Sequence, residues 1–212
     1  MRLEQIKKIA IAGAGIMGAS IAQIFAREGY RVALYDIAEA GIENGRKLIA
    51  INQEASITAG EITQEESMAL RQRISFSLDP ECFRDADFVI EAIVEKMAVK
   101  HTFWSQVSAI APVNAVLTTN TSGLSITEIA EAVERPERFG GMHWVNPPHI
   151  VPLVEVIRGE KTAPAAADLI FALAEKIGKK PVMVKKDAKG FILNRFQFCI
   201  LREAMHIVES GI

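Results

Sequence analysis

Lys8-Ile9-Ala10-Ile11-Ala12 is a short apolar run that stops at a glycine, and beyond it Met17, Ile21, Ile24 and Phe25 recur at helical spacing until Gly29. The pattern reads strand, turn, helix. Val32 to Tyr35 supplies a second strand ending at Asp36, so the opening segment predicts a βαβ unit and with it a parallel sheet covered on both faces. Further strands are predicted at Ile74–Ser77, Phe88–Ala92, Ala115–Thr119, Phe139–His143, Leu153–Ile157 and Pro181–Val184, with helical patterns between most of them. The stretch from Ala40 to Arg73 is too long for an ordinary crossover and breaks near Thr58-Ala59-Gly60, which predicts a projecting hairpin of two helices. From Gly190 to Ile212, residues such as Phe196, Phe198, Ile200, Leu201, Met205 and Val208 put apolar groups on more than one face of a long helix, which therefore wants partners on several sides.

One stretch imitates a membrane or export signal. Ile9 to Ala26 carries no charge and follows Arg2, Lys7 and Lys8, yet three glycines, Ser20 and Gln23 interrupt it. A strand, a glycine turn and a buried helix account for all of those residues.

Composition adds boundaries. At 212 residues the chain is long for one domain and short for two; 50% hydrophobic and 24% charged residues, with 14 Gly and 8 Pro, describe an ordinary globular chain. With Lys+Arg 24 against Asp+Glu 26, the formal net charge of −2 lacks the basic excess that phosphate neutralisation needs, so nucleic acid is not an expected partner, and neither is a membrane. The lysines at Lys176, Lys179, Lys180, Lys185, Lys186 and Lys189 flank a helix-to-strand turn and read as a solvated surface. Cys82 and Cys199 are too few for a disulfide framework or a metal knuckle and read as reduced core thiols of a cytoplasmic protein with no metal site.

Gly13-Ala14-Gly15-Ile16-Met17-Gly18 fits G-x-G-x-x-G between a predicted strand and a predicted helix. Gly13 permits the tight turn, Gly15 lets backbone approach a pyrophosphate, and Gly18 lets helix and strand pack closely, while the free N–H groups at Ile16 and Met17 face the phosphates. Asp36, at the end of the second strand, can accept hydrogen bonds from an adenosine ribose and would repel a 2′-phosphate; no arginine follows it, so NAD is expected rather than NADP. The motif alone does not exclude FAD.

Asn120-Thr121-Ser122 lies past one strand end, His143 ends another, and Glu155 sits inside the apolar run Leu153-Val154-Glu155-Val156. A buried carboxylate in such a strand needs a partner, and a histidine is a natural one. Oxidation of an alcohol requires removal of the hydroxyl proton, which imidazole can take while a carboxylate behind it fixes the tautomer. Taken alone, however, His143 before Trp144 fits a satisfied core histidine more readily than a catalyst. His101, His149 and His206 read as structural.

These residues together resemble the 3-hydroxyacyl-CoA dehydrogenase family, whose relatives act on carnitine and gulonate and include lambda-crystallin. The resemblance runs through Gly13–Gly18, Glu91-Ala92-Ile93-Val94-Glu95, Asn120-Thr121-Ser122, His143-Trp144-Val145-Asn146-Pro147, Leu153-Val154-Glu155-Val156 and Gly190-Phe191-Ile192-Leu193-Asn194-Arg195, in family order. It implies an enzyme that oxidises an L-3-hydroxyacyl-CoA with NAD, with His143 as general base, Glu155 as its orienting carboxylate, and Ser122 and Asn194 holding the reacting oxygen. It further implies that Glu95, Lys100, Ser122 and Asn146 contact the nicotinamide half of NAD. The fold it implies is a doubly wound α/β (Rossmann) domain over residues 1–187, followed from 188 to 212 by the first helix of an all-α domain that serves substrate binding and homodimer contact. On that reading the chain alone binds NAD, and full activity needs further helices or a covering partner.

Two departures bear on the substrate. Where the acyl-CoA enzymes offer a serine and a lysine to CoA, an ungapped alignment from Gly41 places Gly45 and Asn52, and residues 40–73 carry four basic and five acidic side chains. Free 3-hydroxy acids of the carnitine or gulonate type, or a non-catalytic NAD-binding role, therefore stand as alternatives. The second departure is Asp187-Ala188-Lys189-Gly190, which lacks the family's usual proline before the glycine and is expected to leave Asn194 in place.

Overall fold

A computed structural model describes the whole chain, Met1–Ile212. Its strands are β1 (Lys8–Ala12), β2 (Arg31–Tyr35), β3 (Ile74–Ser77), β4 (Phe88–Glu91), β5 (Val116–Thr119), β6 (Phe139–Trp144), β7 (Leu153–Ile157) and β8 (Lys180–Val184). They form one sheet in the order β3-β2-β1-β4-β5-β6-β7-β8. The helices are α1 (Ile16–Arg27), α2 (Glu39–Thr58), α3 (Gln64–Gln72), α4 (Met97–Ile110), α5 (Ile126–Ile129), α6 (Pro164–Lys176) and α7 (Leu193–Glu209). Every strand predicted from the hydrophobic pattern forms, with shifts of one residue at some ends.

The sheet is parallel from β3 through β6, as the opening βαβ unit requires, but β7 runs antiparallel to β6 and β8 parallel to β7. The short connection across residues 145–152 has no helix to carry the chain back to the starting edge, so the strand after it returns in the opposite direction. That reversal sets the register His143↔Glu155. A histidine and a carboxylate thereby face each other directly across two strands.

The core lies on both faces of the sheet. Within β1, Ile9 and Ile11 join a cluster with Phe25, Trp144 and Val154, while Ala10 and Ala12 face an opposite cluster with Phe83, Trp104 and Phe139. An all-apolar strand is thus the sum of two half-buried alternations, which is what a covered parallel sheet demands. Each large side chain sealed this way contributes about 1.5–3 kcal/mol.

The hairpin forms as α2 and α3, but it is not free of the sheet. Ile42, Gly45, Ile49 and Gln53 make one buried stripe along α2, and Gln53 Nε2 donates to Gln23 Oε1 of α1 at 2.7 Å. Thr63 and Glu66 close a capping box that starts α3. The other side of α2 stays open.

The C-terminal helix differs from everything before it. No residue of α7 is buried; Phe196 is 66% exposed and Val208 75%. Cys199 is therefore exposed rather than a core thiol, and Cys82 is half-buried. Lys179 also departs from the solvated reading: its ammonium donates to Pro148 O and Val151 O, pinning the loop between β6 and β7, and burial pulls its pKa down. No helix is long and apolar enough to cross a membrane.

Candidate active site

Strand order reverses about β1, which has β2 on one side and β4 on the other, so a crevice opens beyond the carboxyl ends of β1 and β4. The glycine turn lines it. Gly13 has φ +96°, and a Cβ there would come within 2.5 Å of Ala92 O; a Cβ on Gly18 would lie 1.8 Å from Gly13 O. Gly15, the N-cap of α1, is different: no atom lies within 4 Å of the position a Cβ would take, and no side chain caps the helix. The N–H groups of Ile16 and Met17, in the first turn of α1, have no acceptor inside the helix and border that open space. A phosphate fits the polarity and the room.

Beside the turn lies a cleft of about 590 Å³ lined by Gly13, Asp36, Ala92, Val94, Val99 and Phe103, among others. Apolar walls with a carboxylate at one end suit a base and its ribose. Asp36 Oδ2 accepts from Ala14 N at 2.8 Å and Oδ1 from Ala38 N at 3.1 Å, so the same carboxylate fixes the glycine turn and the lead into α2. Gly41 keeps it there, since a Cβ at 41 would meet the Asp36 carboxylate at 2.4 Å. Sequence reading did not single out Gly41.

Across the sheet, His143 Nδ1 meets Glu155 Oε2 at 2.7 Å, with His143 5% and Glu155 1% exposed. The antiparallel register does this: twelve residues apart in sequence, the two side chains are cross-strand neighbours. Glu155 does more than hold the histidine. Its Oε1 accepts from Ile192 N at 2.8 Å and Leu193 N at 3.0 Å, the backbone donors at the start of α7. Burial pushes the Glu155 carboxyl up, but the hydrogen bonds from His143, Leu193 and Ile192 outweigh it and hold the group below its ordinary value of 4.5.

Because Glu155 fixes the start of α7, it also fixes Asn194, whose Nδ2 donates to Ser122 O at 2.7 Å. Lys189, in place of the family's proline, does not disturb that contact. Gly190 and Phe191 make the turn into the helix with φ of +78° and +48°, and Phe191 packs on the His143 ring with centroids 5.6 Å apart. On the other side, Ser122 N donates to Glu95 Oε1 at 2.8 Å, and Glu95 Oε2 lies 3.2 Å from Lys100 Nζ. Burial raises the Glu95 carboxyl, but Thr121, Lys100 and Ser122 overcome this and hold it low. Lys100 is 1% exposed, its ammonium enclosed by Glu95 and Glu91. Asn146 lies exposed in the loop that Lys179 pins. The pair His143–Glu155 and the run Asn194–Ser122–Glu95–Lys100 are therefore joined through the backbone at the start of α7 into one connected set reaching from β7 to α4.

Residues 8–188 match the family model described as 3-hydroxyacyl-CoA dehydrogenase, NAD binding domain. The chain belongs to the 3-hydroxyacyl-CoA dehydrogenase family. It is 42% identical to a probable 3-hydroxybutyryl-CoA dehydrogenase of Bacillus subtilis, over 98% of this chain and 72% of the relative. It is 38% identical to the 5-formyl-3-hydroxy-2-methylpyridine 4-carboxylate 5-dehydrogenase of Mesorhizobium japonicum, over 98% of this chain and 66% of the relative. Among solved structures, (S)-3-hydroxybutyryl-CoA dehydrogenase PaaH1 from Ralstonia eutropha superposes with a TM-score of 0.94 at 33% identity, covering 98% of this chain and 73% of that one. The chain thus spans 66 to 72% of the length of these two curated relatives. NAD is the family's cofactor, and the glycine turn, the open N-terminus of α1 and the Asp36 cleft fit it.

Two measurements check this geometry. Gly18→Ala should cost on the order of 1–3 kcal/mol in urea unfolding, the scale of overpacking, whereas Gly15→Ala should leave stability unchanged and weaken NADH binding in a fluorescence titration. Equal stability of the two variants would contradict the packing account. Glu155 has a lowered folded pKa, so its contribution is complete above 4.5 and is lost as pH falls through the lower folded value. Unfolding midpoints should accordingly drop more steeply on acidification in the natural chain than in Glu155→Gln; parallel profiles would show that Glu155 carries no such linkage.

Proposed function

We propose that the protein catalyses NAD-dependent oxidation of an L-3-hydroxyacyl-CoA to the 3-ketoacyl-CoA, with His143 as acid/base and Glu155 behind it. The run from His143 through Glu155 to the start of α7, and on from Asn194 through Ser122 to Glu95, is the observation that carries this reading, because a non-catalytic nucleotide binder has no use for it. Bound in the β1/β4 crevice, NAD would supply the hydride acceptor, held by Gly13, Gly15, Ile16, Met17, Gly18 and Asp36 on the adenosine diphosphate half and by Glu95, Ser122 and Asn146 near the other; Lys100, buried between Glu91 and Glu95, would act there through Glu95 rather than by direct contact.

The chain's own residues supply the rest. With Nδ1 facing a carboxylate, His143 carries its proton there and leaves Nε2 bare, ready to take the hydroxyl proton as the C3–H electrons depart. The imidazolium so formed is stabilised by Glu155. The Ser122 hydroxyl and the Asn194 amide, joined through Ser122 O, would hold the reacting oxygen while its charge changes. In the reverse direction His143 returns the proton to the developing alkoxide.

Residues 1–187 constitute the NAD-binding domain in this reading, and 188–212 begin a helical region that completes the substrate cleft and a homodimer contact. The apolar, wholly exposed faces of α7 support that assignment. The open side of α2 bears on the substrate. Its hairpin carries four basic and five acidic side chains and so exerts no net pull on CoA phosphates, and a relative at 38% identity is named for a pyridine carboxylate rather than a CoA ester. A free hydroxy acid is the second reading for that reason.

NADH formation with 3-hydroxybutyryl-CoA, a longer 3-hydroxyacyl-CoA, carnitine and gulonate compares the two. Turnover with the CoA esters, reduced about 10²–10⁴-fold in kcat by His143→Gln with NADH affinity intact, is the expected result. An unaltered kcat would remove His143 from the mechanism, and turnover confined to the free acids would replace the substrate.

A further inference from the structure

The line of hydrogen bonds does not stop at Lys100. Glu91, the last residue of β4, is 0% exposed, and nothing in the proposed chemistry requires a charge there. Its Oε1 accepts from Lys100 Nζ and from Ile93 N at 3.1 Å; its Oε2 accepts from Thr119 Oγ1 at 2.7 Å and Trp104 Nε1 at 3.4 Å. Four donors converge on one carboxylate. Such an arrangement meets the lone pairs of a buried carboxylate, at a desolvation cost that a well-packed apolar residue would avoid, so stability alone is a weak reason for it.

The placement suggests a better reason. Glu91 and Thr119 end adjacent strands at the crevice, and Ile93 in the turn after Glu91 lines the cleft beside Ala92. Lys100 Nζ reaches from Glu91 to Glu95, and Glu95 in turn receives Ser122 N and Thr121 Oγ1, while Thr121 Oγ1 accepts from Leu124 N at 3.0 Å. The turn carrying Ser122 is thus set by Glu95, and Glu95 by a lysine whose own position Glu91 dictates. Of the three charged groups only the Glu95 side chain, 43% exposed, opens to solvent. Two carboxylates share one ammonium, leaving one negative charge uncompensated.

We propose that Glu91 and Lys100 are positioning residues that act through Glu95, and that the uncompensated negative charge of this triad shifts the site's binding toward the cationic nicotinamide of NAD⁺ relative to the neutral ring of NADH. This rests on the reading that the nicotinamide half lies between the glycine turn and His143, across the ends of β4 and β5. A fixed anion beside a ring that is positive only when oxidised stabilises one redox state selectively. An apolar core substitute could position the turn but could not discriminate the two states.

Calorimetric titration of the full chain with NAD⁺ and with NADH tests it. Glu91→Gln keeps the shape and removes the charge; NAD⁺ should bind on the order of three- to tenfold more weakly, the scale for one partly screened charge, with NADH changed less than about twofold. Glu95→Gln, at the exposed end of the triad, should shift the ratio in the same direction and serves as the deciding variant where Glu91→Gln does not fold. Equal changes for the two nucleotides, or none, in whichever variant folds would reduce Glu91 to a structural residue and overturn the proposal. Failure of the natural chain to bind either nucleotide would overturn the reading of the crevice and this proposal with it, whereas binding of both with an unmoved ratio overturns the triad alone.

Discussion

One carboxylate holds the candidate active site together. Glu155 accepts from His143 with one oxygen and from the first two backbone donors of α7 with the other, at the interior of the sheet. A buried carboxylate is costly unless its lone pairs are met, and meeting them forces three elements into a single arrangement. The histidine is oriented, the helix start is fixed, and Asn194 arrives at Ser122 as a consequence. Take that charge away, and the orientation of the base and the placement of α7 lose their common support.

The sheet makes this possible by breaking its own rule at the right strand. Had β7 continued parallel to β6, a crossover would separate His143 from Glu155, and their side chains would not be paired by register. The antiparallel return places them opposite each other. The nucleotide crevice, by contrast, follows from the parallel half and its topological switch about β1. The nucleotide crevice and the His143–Glu155 pair are thus built from two different sheet geometries joined at β5 and β6. Asn120 Oδ1 stitches that junction, accepting from Trp144 N at 2.8 Å.

Much of this was legible in the residues. Strand positions showed best in the middle of the sheet, where both faces are buried and β1 and β4 are short, nearly unbroken apolar runs. The Glu155 carboxylate inside Leu153-Val154-Glu155-Val156 announced a buried partner, and the register supplies it. The same logic applied to Phe88-Val89-Ile90-Glu91 would have flagged Glu91, whose neighbours are equally apolar; its partner Lys100, four residues before Trp104 and seven before Val107, lies on the buried stripe of α4, a periodicity that also pointed inward. Three things were not legible. The reversed strand depends on the length of a loop rather than on any motif. Lys179 sits among five other lysines, and only the fold distinguishes it by pointing it at the carbonyls of Pro148 and Val151. Gly41 matters through the space it leaves for Asp36, a tertiary property with no local signature.

With Glu155 Oε2 at Nδ1, the arrangement requires the His143 proton on Nδ1 and the lone pair on Nε2. Nitrogen NMR of the labelled His143 ring at a pH where the imidazole is neutral reads this directly. The expected result is a protonated Nδ1, held in a strong hydrogen bond, and an unprotonated Nε2 in the natural chain. A ring protonated at Nε2 would contradict it, since the atom assigned to take the substrate proton would already be occupied.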